Sequence, residues 1–268
     1  MTKKKKTKVL QDTEEKSHLK HRNRLRDRFV ANGLPSLSDH EIIELLLYHC
    51  IPRRDTKELA HKILKEFGSL HRVFEATAGE IERRCKITRN SAVFLSLVGP
   101  VTKRYELSKW GQHPSFDSTK ALGEYIKCLF IGTSVELFYL ICFDNRLKLI
   151  SAECLAEGTI GRVTLYPLET MRRASVLRPT FVVLAHNHPS GDLNLSQLDI
   201  SVTQDIKKQL DGIDIILLDH YIVAGDDYEA FSERRIMGLM GINGALAAKK
   251  DVQREAQKEA KKKISRAE

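Results

Sequence analysis

The sequence predicts a chain of class α+β/α/β in two parts, an all-helical N-terminal domain followed by a mixed-sheet domain. Three observations carry this. From His21 to about Lys109, apolar residues recur at helical spacing, with capping signals at the starts. Residues 111–118, Gly-Gln-His-Pro-Ser-Phe-Asp-Ser, break that pattern with turn-forming types and predict a linker. Over 119–243, short dense apolar runs then alternate with helical stretches.

Residues 1–20 are lysine-rich and polar, and predict a disordered basic tail. In the helical domain, 21–110, Ser38-x-x-Glu41 is a capping box that opens the run Ile42-Ile43 and Leu45-Leu46-Leu47. Lys57 to Phe67 has helical spacing and stops at Gly68, a residue free to take the left-handed conformation that ends helices. Thr77-x-x-Glu80 is a second capping box. Thr88 to Leu107 predicts a longer helix, interrupted or kinked at Gly99-Pro100 because proline lacks the amide proton a helix interior needs.

Thr119 to Leu129 reads as a helix and Leu137 to Phe143 as a strand, with a turn at Asp144-Asn145. Leu147 to Leu155 and Val163 to Tyr166 predict further strands. Pro167 suits the first turn of a helix over 168–177. Phe181 to Leu184 is a buried strand running into His186. A helix follows from Ser196 to about Leu210, then late strands at Ile213 to Leu218 and Tyr221 to Val223. From Ala245, within a basic tail over 244–268, helical propensity without much apolar face predicts a solvated helix.

At 268 residues the chain can hold one or two domains with sizeable cores. No apolar run reaches the roughly 18–20 residues of a membrane helix, and the basic start Met1-Thr2-Lys3-Lys4 lacks the apolar stretch of a signal peptide. Cys50, Cys85, Cys128, Cys142 and Cys154 are scattered and never form Cys-x-x-Cys. They predict free thiols in a reducing cytoplasm and argue against a thiolate metal site. The net charge is +9, but residues 1–28 carry 11 basic and 4 acidic groups and 249–268 carry 8 and 4, so the excess sits at the ends. Such ends either contact DNA phosphates non-specifically or only solubilise the chain.

The densest chemistry lies in Ala185-His186-Asn187-His188-Pro189-Ser190-Gly191 and the following Ser196-Gln197-Leu198-Asp199. Residues two apart on a strand point to one side, so His186 and His188 can aim at one point while Asn187 faces away. Pro189 and Gly191 turn the chain, Ser196 reads as an N-cap, and Asp199 falls in the first helical turn. Two histidines and a carboxylate form a donor set that zinc takes at catalytic sites.

The pattern His186-x-His188-x₁₀-Asp199, with Ser196 three before the aspartate, resembles the JAMM metal motif of MPN (JAB) domains. His186 to Asp192 (His-Asn-His-Pro-Ser-Gly-Asp), Glu157-Gly158-Thr159-Ile160 and Leu218-Asp219-His220 resemble bacterial RadC-type proteins specifically. Leu37-Ser38-Asp39 and Phe67-Gly68-Ser69-Leu70 extend the likeness into the helical half, so that it covers about 21–240. The resemblance implies an MPN fold for 119–243, one Zn²⁺ held by His186, His188 and Asp199, and a glutamate acting as base on the metal's water. The family's Glu-x-Phe is matched by Glu136-Leu137-Phe138, which assigns that role to Glu136. Ser196 is implied as a donor to the oxyanion. The activity so implied is a zinc metallopeptidase cleaving a peptide or isopeptide-like amide of an unidentified peptide or protein, with a family link to DNA repair.

Two departures stand beside the match. Leu193-Asn194-Leu195 replaces a segment that commonly carries proline and threonine, and Pro167-Leu168-Glu169 stands for Pro-Arg-Glu. In the helical half, the hairpin that in such modules offers glycine backbone to phosphate reads Cys85-Lys86-Ile87-Thr88-Arg89, with Lys86 and Thr88 at the glycine positions. Lys86 and Arg89 supply only charge there.

Structural readings remain beside the functional ones. Asp199 is also a first-turn acid favoured by the helix dipole, Glu136 an acid at a strand start, Ser196 an N-cap, and His220 either a partner of the metal ligands or a satisfied core histidine. Two other functions compete with hydrolysis: a DNA-associated protein with a structural metal, and a non-catalytic scaffold.

Overall fold

The computed structural model describes residues 19–52, 54–158 and 167–264. It divides into two compact units, one reaching to Thr102 and including Gly132–Ser134, the other Lys103–Ile131 with the chain from Val135 onward.

The first unit is all helix: α1 over 19–32, α2 Asp39–Leu47, α3 Lys57–Phe67, α4 Leu70–Glu75, α5 Ala78–Cys85, and α6 Arg89–Ser108, which runs past the unit's end. Ile43, Leu47, Ile63, Phe67, Val73, Ile81 and Leu95 interlock in its core. Each such side chain, buried, stabilises by about 1.5–3 kcal/mol. The Ser38–Glu41 capping box forms, and Gly68 ends α3 at φ 85°. Only half of the second box forms: Thr77 accepts from the Glu80 amide, while the Glu80 carboxylate turns to Arg84 at 2.8 Å. The guanidinium of Arg22 on α1 donates to the carbonyls of Pro52, Ile51 and Arg54 and lies over the Tyr48 ring. Helix α6 is continuous through Pro100, and a side chain at Gly99 would come within 2.7 Å of the Phe74 carbonyl. At the hairpin, Lys86 takes the left-handed conformation (φ 56°) in which glycine is favoured.

The second unit is a mixed five-stranded sheet covered on both faces. Helix α7 (Thr119–Leu129) leads to β1 (Glu136–Phe143) and β2 (Leu149–Gly158). After residues 159–166 come α8 (Pro167–Leu177), β3 (Phe181–Asn187), α9 (Gln197–Asp211), β4 (Ile216–Ala224), β5 (Asp227–Ala230) and α10 (Gly241–Ile264). The strand order is β2-β1-β3-β4-β5; only β3 and β4 run parallel, joined by the crossover through α9. Alternate residues divide the core. Tyr139, Ile141, Val183 and Ala185 pack with Leu122, Ile126 and Ile242, while Phe138, Leu140, Val182 and Leu184 pack with Ala174, Ile206 and Leu210. Burial on both faces explains why β1 and β3 read as unbroken apolar runs.

Residues 111–118 hold no helix or strand beyond a bridge from Ser115 to Lys148. They are nonetheless tied to the sheet: Leu149 donates to the Pro114 carbonyl, and Phe116 enters the core. The two late strands expected at 213–218 and 221–223 are one strand, β4. Its register skips a residue between Leu217 and Asp219, so the polar pair Asp219-His220 accompanies a bulge, not a break. Both are fully buried and partnered. The short β5 was not foreseen; it folds back after Gly225 (φ 59°) as a charged edge strand. The strand expected over 163–166, most of the tail 1–20, residues 159–160 of the Glu-Gly-Thr-Ile motif and the last four residues lie outside the described residues. Leu19 and Lys20 already belong to α1. Along α10, Ile242 and Ala245 are buried, and exposed residues dominate after Leu246. All five cysteines are free thiols. Among the described residues no helix is long and apolar enough to cross a membrane.

Asp219 accepts from the backbone amides of His220 and Ser232 and from the Ser232 hydroxyl. Burial nevertheless pushes its carboxyl up to about 6. A carboxyl whose folded pKa lies above its unfolded value (3.8) loses stability as pH rises between the two values, because the unfolded chain releases the proton first. Wild type minus Asp219→Asn stability is therefore expected to fall by on the order of 2 kcal/mol between pH 4 and 6.5, read from denaturant titrations. A flat difference would place the charged carboxylate in the core at no cost.

Candidate metal centre

Strand β3 lies between β1 and β4, so its carboxyl end is held on both sides. The pairing continues one residue beyond Asn187: the His188 amide donates to the Val223 carbonyl at 2.8 Å. His186 and His188 thus keep strand alternation and share one side. The next residues turn sharply, with Gly191 at φ 83° donating to the His188 carbonyl. This return brings the Asp192 carbonyl to 2.6 Å from His188 Nδ1. Ser196 then caps α9. Its hydroxyl accepts from the Asp199 amide, and Asp199 Oδ2 accepts from the Ser196 amide (2.8 Å) and hydroxyl (2.7 Å).

The three sequence-selected donors converge. The Nε2 atoms of His186 and His188 are 3.0 Å apart; Asp199 Oδ1 is 3.4 Å from His186 Nε2, and Oδ2 is 3.9 Å from His188 Nε2. All three side chains offer donor atoms within 4.8 Å of one another. Donors bound to one tetrahedral zinc at about 2.0–2.1 Å stand about 3.3–3.4 Å apart, so the set fits that ion. His186 is 3% exposed, and burial pulls its imidazole down to about 4 against the raising influence of the Asp199 carboxylate. At neutral pH His186 is therefore an uncharged ring with a lone pair, the form a metal takes.

The remaining nitrogens are occupied. His188 Nδ1 faces a carbonyl, which can only accept, so that nitrogen carries a proton. His186 Nδ1 lies 2.8 Å from His220 Nε2. His220 is fully buried, and burial holds its pKa well below the ordinary histidine value.

Glu136 opens β1. Phe138 pairs with His186 across the strands, so Glu136, two residues earlier, stands on the histidine face of the sheet. Asn187 turns to the opposite side, as alternation requires, and grips the chain around Glu136: Leu137 N donates to its Oδ1 at 2.7 Å, and its Nδ2 donates to the Val135 carbonyl at 3.0 Å. Ser196 stands beside Asp199, with its one proton committed to that carboxylate.

Sequence reasoning missed two contributors. Strand alternation turns Asn187 away from the donors, but its clasp on β1 arises only from strand pairing. Thr203 is fully buried, donates to the Asp199 carbonyl and meets His220 Nδ1 at 2.7 Å. Its signal was a polar residue on the apolar face of α9, one turn after Asp199 and in line with Ile206 and Leu210.

The chain is similar to known proteins over most of its length. The RadC-like JAB domain family matches residues 116–236, and the UPF0758 N-terminal family matches residues 17–92. A UPF0758 protein of Fusobacterium nucleatum is 31% identical over 230 residues, covering 83% of this chain and 99% of that protein. One from Rhodobacter capsulatus is 33% identical over 199 residues (74% and 93%), and one from Burkholderia thailandensis 34% over 209 (78% and 79%).

Proposed function

Because the chain belongs to the UPF0758 family and carries a RadC-like JAB domain, we propose that it is a zinc-dependent hydrolase that cleaves a peptide or isopeptide amide. The observation that carries this reading is the convergence of the two facing Nε2 atoms, 3.0 Å apart, with the Asp199 carboxylate beside them. A cation that accepts a lone pair from each ring fits between them. His186, His188 and Asp199 would hold zinc, which supplies a Lewis acid that lowers the pKa of water towards neutrality and polarises a carbonyl.

Glu136 takes a proton from the attacking water and returns it to the leaving nitrogen, so the C–N bond breaks to a carboxylic acid and an amine. Asn187 fixes the peptide groups on both sides of Glu136 and so limits where the carboxylate can swing. Ser196 serves the oxyanion by exchanging its present hydrogen bond to Asp199 for one to substrate.

A DNA-associated role is the second reading. It is favoured by Lys250, Arg254 and Lys258, exposed at successive turns of α10. The two readings separate in a trapping experiment. Zinc-loaded Glu136→Gln protein, expressed in place of the wild type and recovered, is expected to retain a polypeptide that the wild type releases cut, identified by mass spectrometry. Identical partners on both proteins, with DNA binding that weakens steeply as salt rises, would replace the hydrolase reading by the second.

A further inference from the structure

We infer that His220 and Thr203 are positioning residues: they fix His186 as the tautomer protonated on Nδ1, which turns its Nε2 lone pair towards the other two donors. This rests on the zinc reading and extends it to two residues outside the donor set.

The assignment follows from one fixed acceptor. The backbone carbonyl of Asp199 can only accept. Thr203 Oγ1 lies 2.5 Å from it and therefore donates. With its single proton spent, the hydroxyl can only accept from His220 Nδ1 at 2.7 Å, so that nitrogen carries a proton. His220 is enclosed between the rings of Phe138 and Phe231, where a second ring proton would be an unsolvated charge. Its Nε2 is therefore bare and accepts from His186 Nδ1 at 2.8 Å. Each link leaves one choice to the next, and the last atom in the series is His186 Nε2. Without it, nothing opposes a proton on His186 Nε2, where it would block coordination.

The series begins at the residue that also supplies the carboxylate. One turn of α9 therefore contributes a donor through the Asp199 side chain and sets a second donor through the Asp199 carbonyl. It also ties α9 to β4 and β3 through side chains, since Thr203, His220 and His186 lie on three separate elements. Histidines that bind metals usually donate their far N–H to a carbonyl or carboxylate directly. Here the donation to a carbonyl passes through an imidazole and a hydroxyl.

The test uses the full chain. In zinc-free wild type, side-chain nitrogen chemical shifts are expected to show His186 protonated on Nδ1. Thr203→Val keeps the volume and removes the hydroxyl; its zinc affinity, measured against a competing chelator, is expected to fall by about 10- to 100-fold. Thr203→Ser, which retains the hydroxyl, is expected to restore it. A His186 protonated on Nε2 in the wild type, or a valine variant that binds zinc as tightly as wild type, would overturn the relay. If the wild type takes up no zinc, the zinc reading falls, and the His186 shifts still decide the relay.

Discussion

Purified His188→Ala protein is expected to carry no zinc where wild type carries one ion per chain, measured by elemental mass spectrometry after dialysis against metal-free buffer. Loss of a partner that merely orients a ligand weakens binding by about 10- to 100-fold; loss of one of three donors removes more. The fold should survive the change. Beyond its donor nitrogen, the His188 ring makes its described hydrogen bond to the Asp192 carbonyl in an exposed turn, while the core on this face is held by Phe138, Leu184 and Ile206. The same pair of proteins gives a second reading through linkage. Free zinc at 100 times its dissociation constant should stabilise the wild type by about 2.7 kcal/mol and leave the variant unchanged. Equal zinc content in the two proteins would remove His188 from the site.

Glu136→Gln is expected to separate metal binding from chemistry. The substitution keeps the size and one acceptor oxygen but removes the basic carboxylate. Cleavage of the trapped polypeptide should fall by about 10²- to 10⁴-fold, the range a positioned base supplies, with zinc content unchanged. The two clasping hydrogen bonds of Asn187 go to the peptide groups around residue 136, so the strand should not shift. Cleavage within a few-fold of wild type would leave the base unassigned and favour a scaffold or DNA-associated role for the same donor set.

Most of this site was legible before any fold was known, because its parts are local. Alternation on a strand puts His186 and His188 on one side, and a capping pattern places Asp199 in the first turn of α9. Those rules span a few residues each. Glu136 was different: it lies 50 residues before His186, and only the resemblance selected it. The β1–β3 register places Glu136 on the histidine face of the sheet. His220 had two equal readings in sequence, and the structure satisfies both descriptions at once: it is fully buried with both nitrogens partnered, and one partner is His186. Thr203 and Asn187 went unread because their roles lie in pairings across elements.

The helical half shows the same limit. The capping box at Ser38 and the stop at Gly68 were local signals and formed. The Thr77 box closed only halfway because Arg84, one turn further on, competes for Glu80. In the sheet, the polar pair Asp219-His220 looked like a strand break, since a buried aspartate and histidine are costly until their partners are known. Ser232, Thr203 and His186 are those partners, and they come from three other parts of the chain. Lys86 takes the left-handed conformation that glycine adopts most readily, at a position where the sequence carries no glycine.

The most direct test of the central claim is anomalous X-ray scattering from crystals of the zinc-loaded wild type, recorded on both sides of the zinc edge. The account predicts one peak per chain, within about 2.0–2.2 Å of His186 Nε2, His188 Nε2 and an Asp199 carboxylate oxygen. No peak there at full zinc loading, or a peak coordinated by other residues, would contradict it.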